Sequence, residues 1–230
     1  MFVGMRIPSI AGCALVASVF AANAAKQVDN TFKCYEVAAK KPFSALLVEY
    51  RKESSNIKTK TRIYFGSKGI RTERLTEYSD KPYLVVIKNN SSDKMWLVNP
   101  IKQYFAEVPR GNSNKTGGVN ERRQKQVLGV LSSKPCYGMR SEKQSARRIG
   151  ETELSVWHCF DNDNKQYLQH YSTLLGVVIR QESQDGQVSE LQEISFIDES
   201  VNYFLPSSEM QQISIEELIT GRLVLQDFVE

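Results

Sequence analysis

The stretch from Thr59 to Pro109 decides the fold, and it reads TKTRIYFGSKGIRTERL (59–75), YLVVIK (83–88), MWLVNP (95–100) and IKQYFAEVP (101–109). These short runs are rich in β-branched and aromatic residues, and Gly, Asn, Asp and Pro separate them. The pattern predicts an antiparallel meander of four or five strands.

Alternation within these runs predicts which side chains share a side of the sheet. Thr61, Ile63 and Phe65 fall on one face, and Arg62 and Tyr64 fall on the other. The turn GSKG (66–69) has glycines that accept positive φ, so the two runs around it are expected to pair as a hairpin. YLVVIK and MWLV are apolar on both faces, which favours central strands covered on each side, or strands whose second face awaits a ligand.

Upstream of the meander, the spacing of apolar residues predicts a helix over Asn30–Lys41, stopped by Pro42, and then a strand over Phe43–Arg51. Downstream, Arg110–Asn120 has the composition of a flexible segment. A helix is expected over Glu121–Leu131, and a loop over 132–140.

A second meander is predicted from Ser145 onward, with runs SARRIG, ELSVWHCF, KQYLQHYS, LLGVVIRQES and QVSELQEISFI. Asp185-Gly186 is a strong hairpin turn between the last two runs. Ser214 and Glu217 form a capping box for a short helix that stops at Gly221. RLVLQDFV (222–229) is expected to be a final edge strand.

The N-terminus has the pattern of a secretory signal. Arg6 precedes an apolar run over Ile10–Phe20 that is too short to span a bilayer, and Ala22-Asn23-Ala24 supplies the small residues of a cleavage site. We therefore expect residues 1–24 to be a signal peptide and residues 25–230 to be one domain. The alternative is a lipid anchor at Cys13, but there the apolar run follows the cysteine rather than precedes it.

Cleavage leaves three cysteines: Cys34, Cys136 and Cys159. An oxidising compartment favours one disulfide and one unpaired thiol. We favour the pair Cys136–Cys159, which closes a loop of about two dozen residues, worth about 3 kcal/mol in the chain-entropy model. The two other pairings remain open at this point.

The composition excludes several classes of function. The net charge of +4, spread among alternating acidic and basic residues, gives no nucleic-acid footprint. The chain has only two histidines, and His158 and Cys159, as neighbours in a strand, would point to opposite faces and could not share a metal ion. The sequence around Ser67 lacks the spacing of a nucleophile elbow, and 161–165 lacks the glycine and the distal glutamate of a calcium loop. We expect no enzyme, no metal site and no cofactor.

Several motifs follow a familiar order. Ile63-Tyr64 is followed by Gly66, Lys68 and Arg71, then Trp96–Pro100, Tyr104–Pro109, Gly150-Glu151-Thr152 and Phe204-Leu205-Pro206. In this order the chain resembles the LolA/LolB-like superfamily of periplasmic lipoprotein carriers. The resemblance implies a mainly antiparallel β fold with helices (α+β), in which a curved, incomplete β-barrel has helices on its concave side.

The resemblance also implies a function. We expect a soluble periplasmic carrier or sensor that holds lipid or lipoprotein acyl chains in an apolar groove, under a lid formed by the helix over Glu121–Leu131. Large apolar side chains on the strands are the candidate lining: Leu46, Val48, Phe65, Val86, Trp96, Phe105 and Trp157. Two alternatives stay open: the helices fill the core, or the chain is a non-enzymatic protein–protein interaction or regulatory module of the envelope.

Overall fold

The computed structural model describes residues 39–54, 57–108, 129–144, 146–149 and 152–220. Within these residues thirteen strands form one sheet. The strands are β1 (Phe43–Arg51), β2 (Ile57–Gly66), β3 (Gly69–Thr76), β4 (Ser79–Asn89), β5 (Lys94–Asn99), β6 (Tyr104–Glu107), β7 (Arg140–Lys143), β8 (Arg147–Ile149), β9 (Thr152–Phe160), β10 (Gln166–Ser172), β11 (Val177–Ser183), β12 (Gln187–Ser195) and β13 (Gln211–Gln212).

The two predicted meanders belong to the same sheet because β1 pairs with both β2 and β12. The strand order is β13-β6-β5-β4-β3-β2-β1-β12-β11-β10-β9-β7, and β8 pairs with β9. All neighbours are antiparallel except β13 and β6, which are parallel. The described strands thus form an open sheet that is not closed into a barrel, and the prediction of a mainly antiparallel β fold is confirmed.

Most strand and turn predictions are confirmed. β1 occupies Phe43–Arg51, and Asp185-Gly186 forms a hairpin turn in which Gly186 has a φ of 77°. The turn 66–69 also forms, although neither of its glycines is among those with positive φ. The loop predicted over 132–140 ends one residue early, because Arg140 begins the short edge strand β7.

The helix predictions are only partly tested. Residues 30–38 and 121–128 lie outside the described residues, as do the signal peptide, Cys13, Cys34, Arg110–Asn120 and the predicted strand 222–229. The described ends of both predicted helices are not helical, and Gly129 and Leu131 have φ of 138° and 77°, which no α-helix contains.

Two short helical segments lie near the end of the described chain. The α-helix α1 (Ile215–Thr220) is capped as predicted, because the Ser214 hydroxyl accepts from the Glu217 N–H and the Glu217 carboxylate accepts from the Ser214 N–H. A 3-10 helix over Val201–Phe204 was not predicted.

The register of the first meander sorts its side chains onto two faces. Residues directly opposite each other on neighbouring strands point to the same side of a sheet, and successive residues point to opposite sides. We name the sides the Ile63 face and the Tyr64 face. One row on the Ile63 face runs Ala45–Ile63–Thr72–Val86–Leu97–Ala106, and the matching row on the Tyr64 face runs Leu46–Arg62–Glu73–Val85–Val98–Phe105.

The chain after β12 covers both faces of the first meander. Phe204 of the 3-10 helix is fully buried in a cluster with Trp96 on the Tyr64 face. β13 then lies beside β6 at the sheet edge, and Leu218 of α1 packs against the cluster of Val86 on the Ile63 face. The segment 201–220 therefore passes from one face, round the edge, to the other.

Candidate functional site

The seven side chains predicted to line a groove are divided between the two faces. Phe65, Val86 and Trp157 lie on the Ile63 face, whereas Leu46, Val48, Trp96 and Phe105 lie on the Tyr64 face. Trp157 is assigned through the row Trp157–Gln169–Gln181–Ser189–Glu49, which reaches β1. The structure thus divides the seven residues between two surfaces, and within the described chain Trp96 and Phe105 are the pair that shares a hydrophobic cluster.

The central row of the Ile63 face carries no charged side chain across six strands. Ile63, Val86, Leu97 and Ala106 are buried, and Thr72 is the only polar residue in the row. With strands about 4.8 Å apart, the five intervals of this row extend over roughly 24 Å. The row itself therefore offers a narrow uncharged track, while Arg74 and Lys88 lie on the neighbouring levels of the same face.

Two separate hydrophobic clusters lie on the Ile63 face. The first contains Ile63 and Leu191 and is joined by Leu131 and Leu175 from the loops beside the sheet. Phe65 packs against this cluster. The second contains Val86 and includes contacts from α1. Two of the predicted lining residues, Phe65 and Val86, thus belong to different clusters on one face.

A loop that follows the predicted lid helix is fastened to the Ile63 face. The Leu131 N–H donates to the Val178 carbonyl at 2.7 Å, and the Val178 N–H donates to the Ser132 carbonyl at 2.8 Å. The disulfide Cys136–Cys159, with a Cα–Cα distance of 5.2 Å, holds the same loop to β9 and confirms the favoured pairing. Backbone bonds and a covalent link together fix where this loop meets the sheet.

A buried glutamine beneath this loop was not identified from the sequence. Gln169 is only 1% exposed; its side-chain carbonyl accepts from the Cys136 N–H at 2.7 Å, and its amide donates to the Gln181 carbonyl at 2.7 Å. Nothing in the run KQYLQHYS distinguishes this residue from a solvated glutamine. Next to it in the row, the Trp157 indole N–H is buried and has no hydrogen-bond partner within the part of the chain that the structure describes.

The Tyr64 face contains a buried carboxylate between two arginines. Glu73 is 5% exposed, and its oxygens lie 2.7 Å from the Arg71 Nε and 3.5 Å from an Arg62 nitrogen. The Arg71 guanidinium also lies over the Tyr203 ring, 4.8 Å from its centre. Burial and a hydrogen bond with Tyr64 raise the pKa of Tyr203 above its ordinary value. Charges on this face are thus already paired within the chain.

The 3-10 helix seats Phe204 on this face, where two glycines make room for it. A Cβ on Gly69 would lie 2.3 Å from the Lys88 carbonyl oxygen and 2.9 Å from the Phe204 ring, and one on Gly66 would lie 3.2 Å from the same ring. The glycines of this turn therefore serve close approach rather than positive φ. Trp96 and Phe105, predicted as groove residues, belong to the Phe204 cluster.

Farther along the Tyr64 face, the second meander is also ionic. Arg180 pairs with Glu190, and the Tyr50 hydroxyl donates to Glu190 at 3.2 Å. Lys52 lies 2.6 Å from Glu182, and the hydrogen bond from Lys52 lowers the pKa of Glu182. An apolar ligand placed here would have to displace water from several charged groups.

His158 and Cys159 each contact a different neighbouring group. The His158 Nε2 lies 3.2 Å from the Gln144 amide nitrogen, and Cys159 is used in the disulfide. Over the described ranges, no group of three or more His, Cys, Asp and Glu side chains is placed to hold a metal ion. In the same part of the chain, no helix has the length and apolar character needed to cross a membrane.

No protein-family model and no curated protein sequence matches this chain. Among solved structures it is similar to an uncharacterized conserved protein from Thermus thermophilus, with 9% identity, 81% of this chain and 96% of that chain covered, and a TM-score of 0.46. A chain of the Pseudomonas aeruginosa MucA/MucB complex gives 11% identity and a TM-score of 0.45, with 81% of this chain and 63% of that chain covered.

A LolA superfamily protein from Nitrosomonas europaea gives 10% identity and a TM-score of 0.31, with 72% of this chain and 90% of that chain covered. The present chain therefore spans less than two thirds of the MucA/MucB chain and most of the other two. Similarities at this level assign no ligand or partner to the chain.

Proposed function

We propose that this chain is a periplasmic binding protein that holds a lipid, or the acyl chains of a lipoprotein, against the Ile63 face as a carrier or a sensor. The observation that carries the proposal is the charge-free row from Ala45 to Ala106. The resemblance of the sequence motifs to the LolA/LolB-like carriers supports the same class of ligand.

The Ile63 face suits an acyl chain better than the Tyr64 face for an electrostatic reason. Covering Glu73, Arg71 or Arg180 with hydrocarbon would remove the water that still reaches these ion pairs, and buried charges are costly unless they are fully paired. The Ile63 row has no such group. The row is buried under Leu131, Leu175 and α1, so an acyl chain would have to take the place of these covering groups, and it would then meet only uncharged side chains.

We include a helical cover in the proposal, on the concave side of a curved sheet, with the helix predicted over Glu121–Leu131, shortened to end before Gly129, as the lid. A permanently open apolar face of this size would exceed the few hundred Å² that soluble monomers usually expose. Leu131 and Ser132 lie in a non-helical segment and bond to Val178, so the chain that follows the proposed lid is held to β11.

The energetics allow one acyl chain to suffice. Burying a methylene is worth about 0.8 kcal/mol, so a sixteen-carbon chain contributes roughly 12 kcal/mol before other terms. Association and ordering of the cover cost several kcal/mol of this. The remainder corresponds to useful affinity without a charged anchor in the site.

The test compares two phenylalanines on opposite faces. Phe65 and Phe105 are both half-buried, the first on the Ile63 face and the second on the Tyr64 face. We would measure displacement of an uncharged apolar dye by a monoacylglycerol, and native mass spectra of protein purified from the envelope. Phe65→Ser should weaken binding about tenfold, the equivalent of one lost apolar contact, while Phe105→Ser stays within about threefold of the parent.

The outcomes separate clearly. Co-purified lipid together with selective loss in Phe65→Ser supports the proposal. A protein that carries no lipid and binds neither dye nor monoacylglycerol overturns it. Equal losses of binding in both variants would contradict the assignment of the ligand to the Ile63 face.

A second candidate function rests on a different observation. The segment 196–205 exposes Phe196, Ile197 and Val201, with exposed fractions of 54%, 48% and 44%, beside the acidic Asp198 and Glu199. Clustered exposed apolar residues mark protein interaction sites. The chain would then be an envelope interaction or regulatory module, and a pull-down that returns one protein partner, lost in Ile197→Asp, would favour this function over lipid binding.

A further inference from the structure

The Ile63 face changes from apolar to polar at the same level on β11, β12 and β1, and one level earlier on β2. Each strand has apolar residues toward one end of this face and uncharged or hydroxyl-bonded polar residues toward the other. On β1 the change is from Phe43, Ala45 and Leu47 to Glu49; on β2 from Ile63 to Thr61 and Thr59; on β12 from Leu191 to Ser189; and on β11 from Val177 and Ile179 to Gln181.

The polar end forms a continuous row, Gln181–Ser189–Glu49–Thr59. Its carboxylate is held by hydroxyl groups: the Thr59 Oγ1 donates to Glu49 at 2.6 Å and the Ser189 Oγ donates to it at 3.4 Å. All four side chains are half-buried. The row itself contains no lysine or arginine; on the neighbouring levels of the same face, Arg51 follows on β1 and Arg74 lies opposite Thr61.

Gln181 adds a hydrogen-bond donor to the row. Its side-chain carbonyl accepts from Gln169 at 2.7 Å, and its NH₂ group makes no hydrogen bond within the residues that the structure describes. Gln169 is itself held by the Cys136 N–H, so the disulfide-linked loop fixes the orientation of both amides. The row therefore presents a fixed donor at Gln181 and a fixed acceptor at Glu49.

We infer that this row receives the head group of the bound amphiphile, and that the head group is uncharged and carries hydroxyl or amide groups. The inference rests on the proposed function and specifies its ligand. Glu49 accepts from a hydroxyl or an amide N–H, and Gln181 donates to an ester or amide oxygen.

An anionic head group is disfavoured at this position. A phosphate or carboxylate seated in the row would lie against the Glu49 carboxylate, because Arg51 and Arg74 lie on the neighbouring levels of the face and not in the row. From Glu49 to Ala45 the strand rises about 13 Å, which brings the acyl chain of a ligand seated at the row onto the apolar part of the face. The polarity of the face thus matches the polarity of an uncharged amphiphile along its length.

The experiment uses the full chain and three ligands that share one acyl chain: 1-monooleoylglycerol, oleate and oleoyl lysophosphatidate. Each is titrated against the bound uncharged dye at about pH 8, where both anions are ionised. We expect monooleoylglycerol to bind about tenfold more tightly than either anion, a difference that one nearby like charge can produce. Glu49→Gln should strengthen binding of both anions about tenfold and leave monooleoylglycerol within about threefold.

Two further variants control the experiment. Glu107→Gln removes a carboxylate from the Tyr64 face, where it pairs with Lys94, and should change none of the three affinities. Gln181→Glu adds a second carboxylate to the row and should widen the gap between the neutral ligand and the anions. This variant also keeps the test decisive if Glu49→Gln proves unstable.

The two proposals fail differently. If the three ligands bind equally and neither Glu49→Gln nor Gln181→Glu changes the ratio, the head-group assignment is overturned while lipid binding stands. If the anions bind more tightly than monooleoylglycerol, the inferred preference for an uncharged head group is wrong. If none of the ligands displaces the dye, the proposed function fails and the head-group assignment fails with it.

Discussion

The two faces of the first meander are built from the same strands, yet they differ in what covers them. Thr72 and Glu73 are consecutive and both buried, but Thr72 belongs to a charge-free row while Glu73 sits between two arginines beside the seat of Phe204. Both faces would count as core by burial alone. The chain covers both faces, so the difference between them is chemical: one buried row has no charge, and the other contains an ion pair.

The largest expected effect comes from removing the side chain that closes the Tyr64 face. Phe204 is fully buried, so Phe204→Ala should lower the free energy of unfolding by about 3–5 kcal/mol, measured by urea denaturation. Val201→Ala, in the same 3-10 helix but 44% exposed, should stay within about 0.5 kcal/mol. A loss below about 1 kcal/mol in Phe204→Ala would contradict a filled Tyr64 face.

The next effect concerns the loop on the Ile63 face. Replacing Cys136 and Cys159 together by serine should lower the free energy of unfolding by about 3 kcal/mol, because the unfolded chain loses a cross-link. The same variant should weaken amphiphile binding, since the loop orients Gln169 and Gln181. Unchanged binding would mean that the loop does not contribute to the ligand site, and the two faces would differ less than we infer.

A moderate effect is expected from the buried ion pair. Glu73→Gln leaves Arg71 and Arg62 without their carboxylate and should lower the free energy of unfolding by about 2 kcal/mol. The control is Glu107→Gln, whose exposed pair with Lys94 should be worth less than about 1 kcal/mol. Equal losses in the two variants would show that the Tyr64 face does not depend on its buried charge.

The smallest effect is a pH dependence on the Tyr64 face. Because Lys52 lowers the folded-state pKa of Glu182, the ionised carboxylate stabilises the folded chain. This stabilisation is complete above the ordinary value of 4.5 and is lost as the pH falls through the lowered folded pKa. The free energy of unfolding, measured by urea denaturation, should therefore fall less between about pH 5 and pH 3 in Glu182→Gln than in the parent. The difference should be less than about 1 kcal/mol. If the free energy of unfolding fell equally with pH in the variant and the parent, Glu182 would make no such contribution.

Local features of the fold were predictable from the sequence because they depend on neighbouring residues. The alternation around Ile63 and Tyr64, the hairpin at Asp185-Gly186 and the capping box of Ser214 and Glu217 all need only short-range geometry. The disulfide was favoured among three pairings, and the structure confirms it. These predictions use spacing, which the sequence states directly.

The division of the site residues between faces was not predictable. It depends on which residues of β1 oppose which residues of β2, and on register shifts such as the one between Glu49 and Tyr50. Leu46 and Phe65 were chosen together for their size, but the register places them on opposite sides. Phe204 was missed because its seat forms from Gly66 and Gly69, distant in sequence, and no local pattern indicates such a contact.

The wrapping of segment 201–220 round the sheet edge has a consequence for the order in which the chain acquires structure. Asn89 donates to the Phe204 carbonyl across 115 positions of sequence, and Arg71 donates to the Tyr203 carbonyl across 132. During synthesis, β1–β6 therefore emerge before segment 201–220, and neither face of the first meander is covered by that segment until it has been made. A fragment that stops at Val108 lacks β13 and segment 201–220, so β6 would be an unpaired edge strand and both faces would lose that cover. We expect this fragment to aggregate and not to fold as an independent domain.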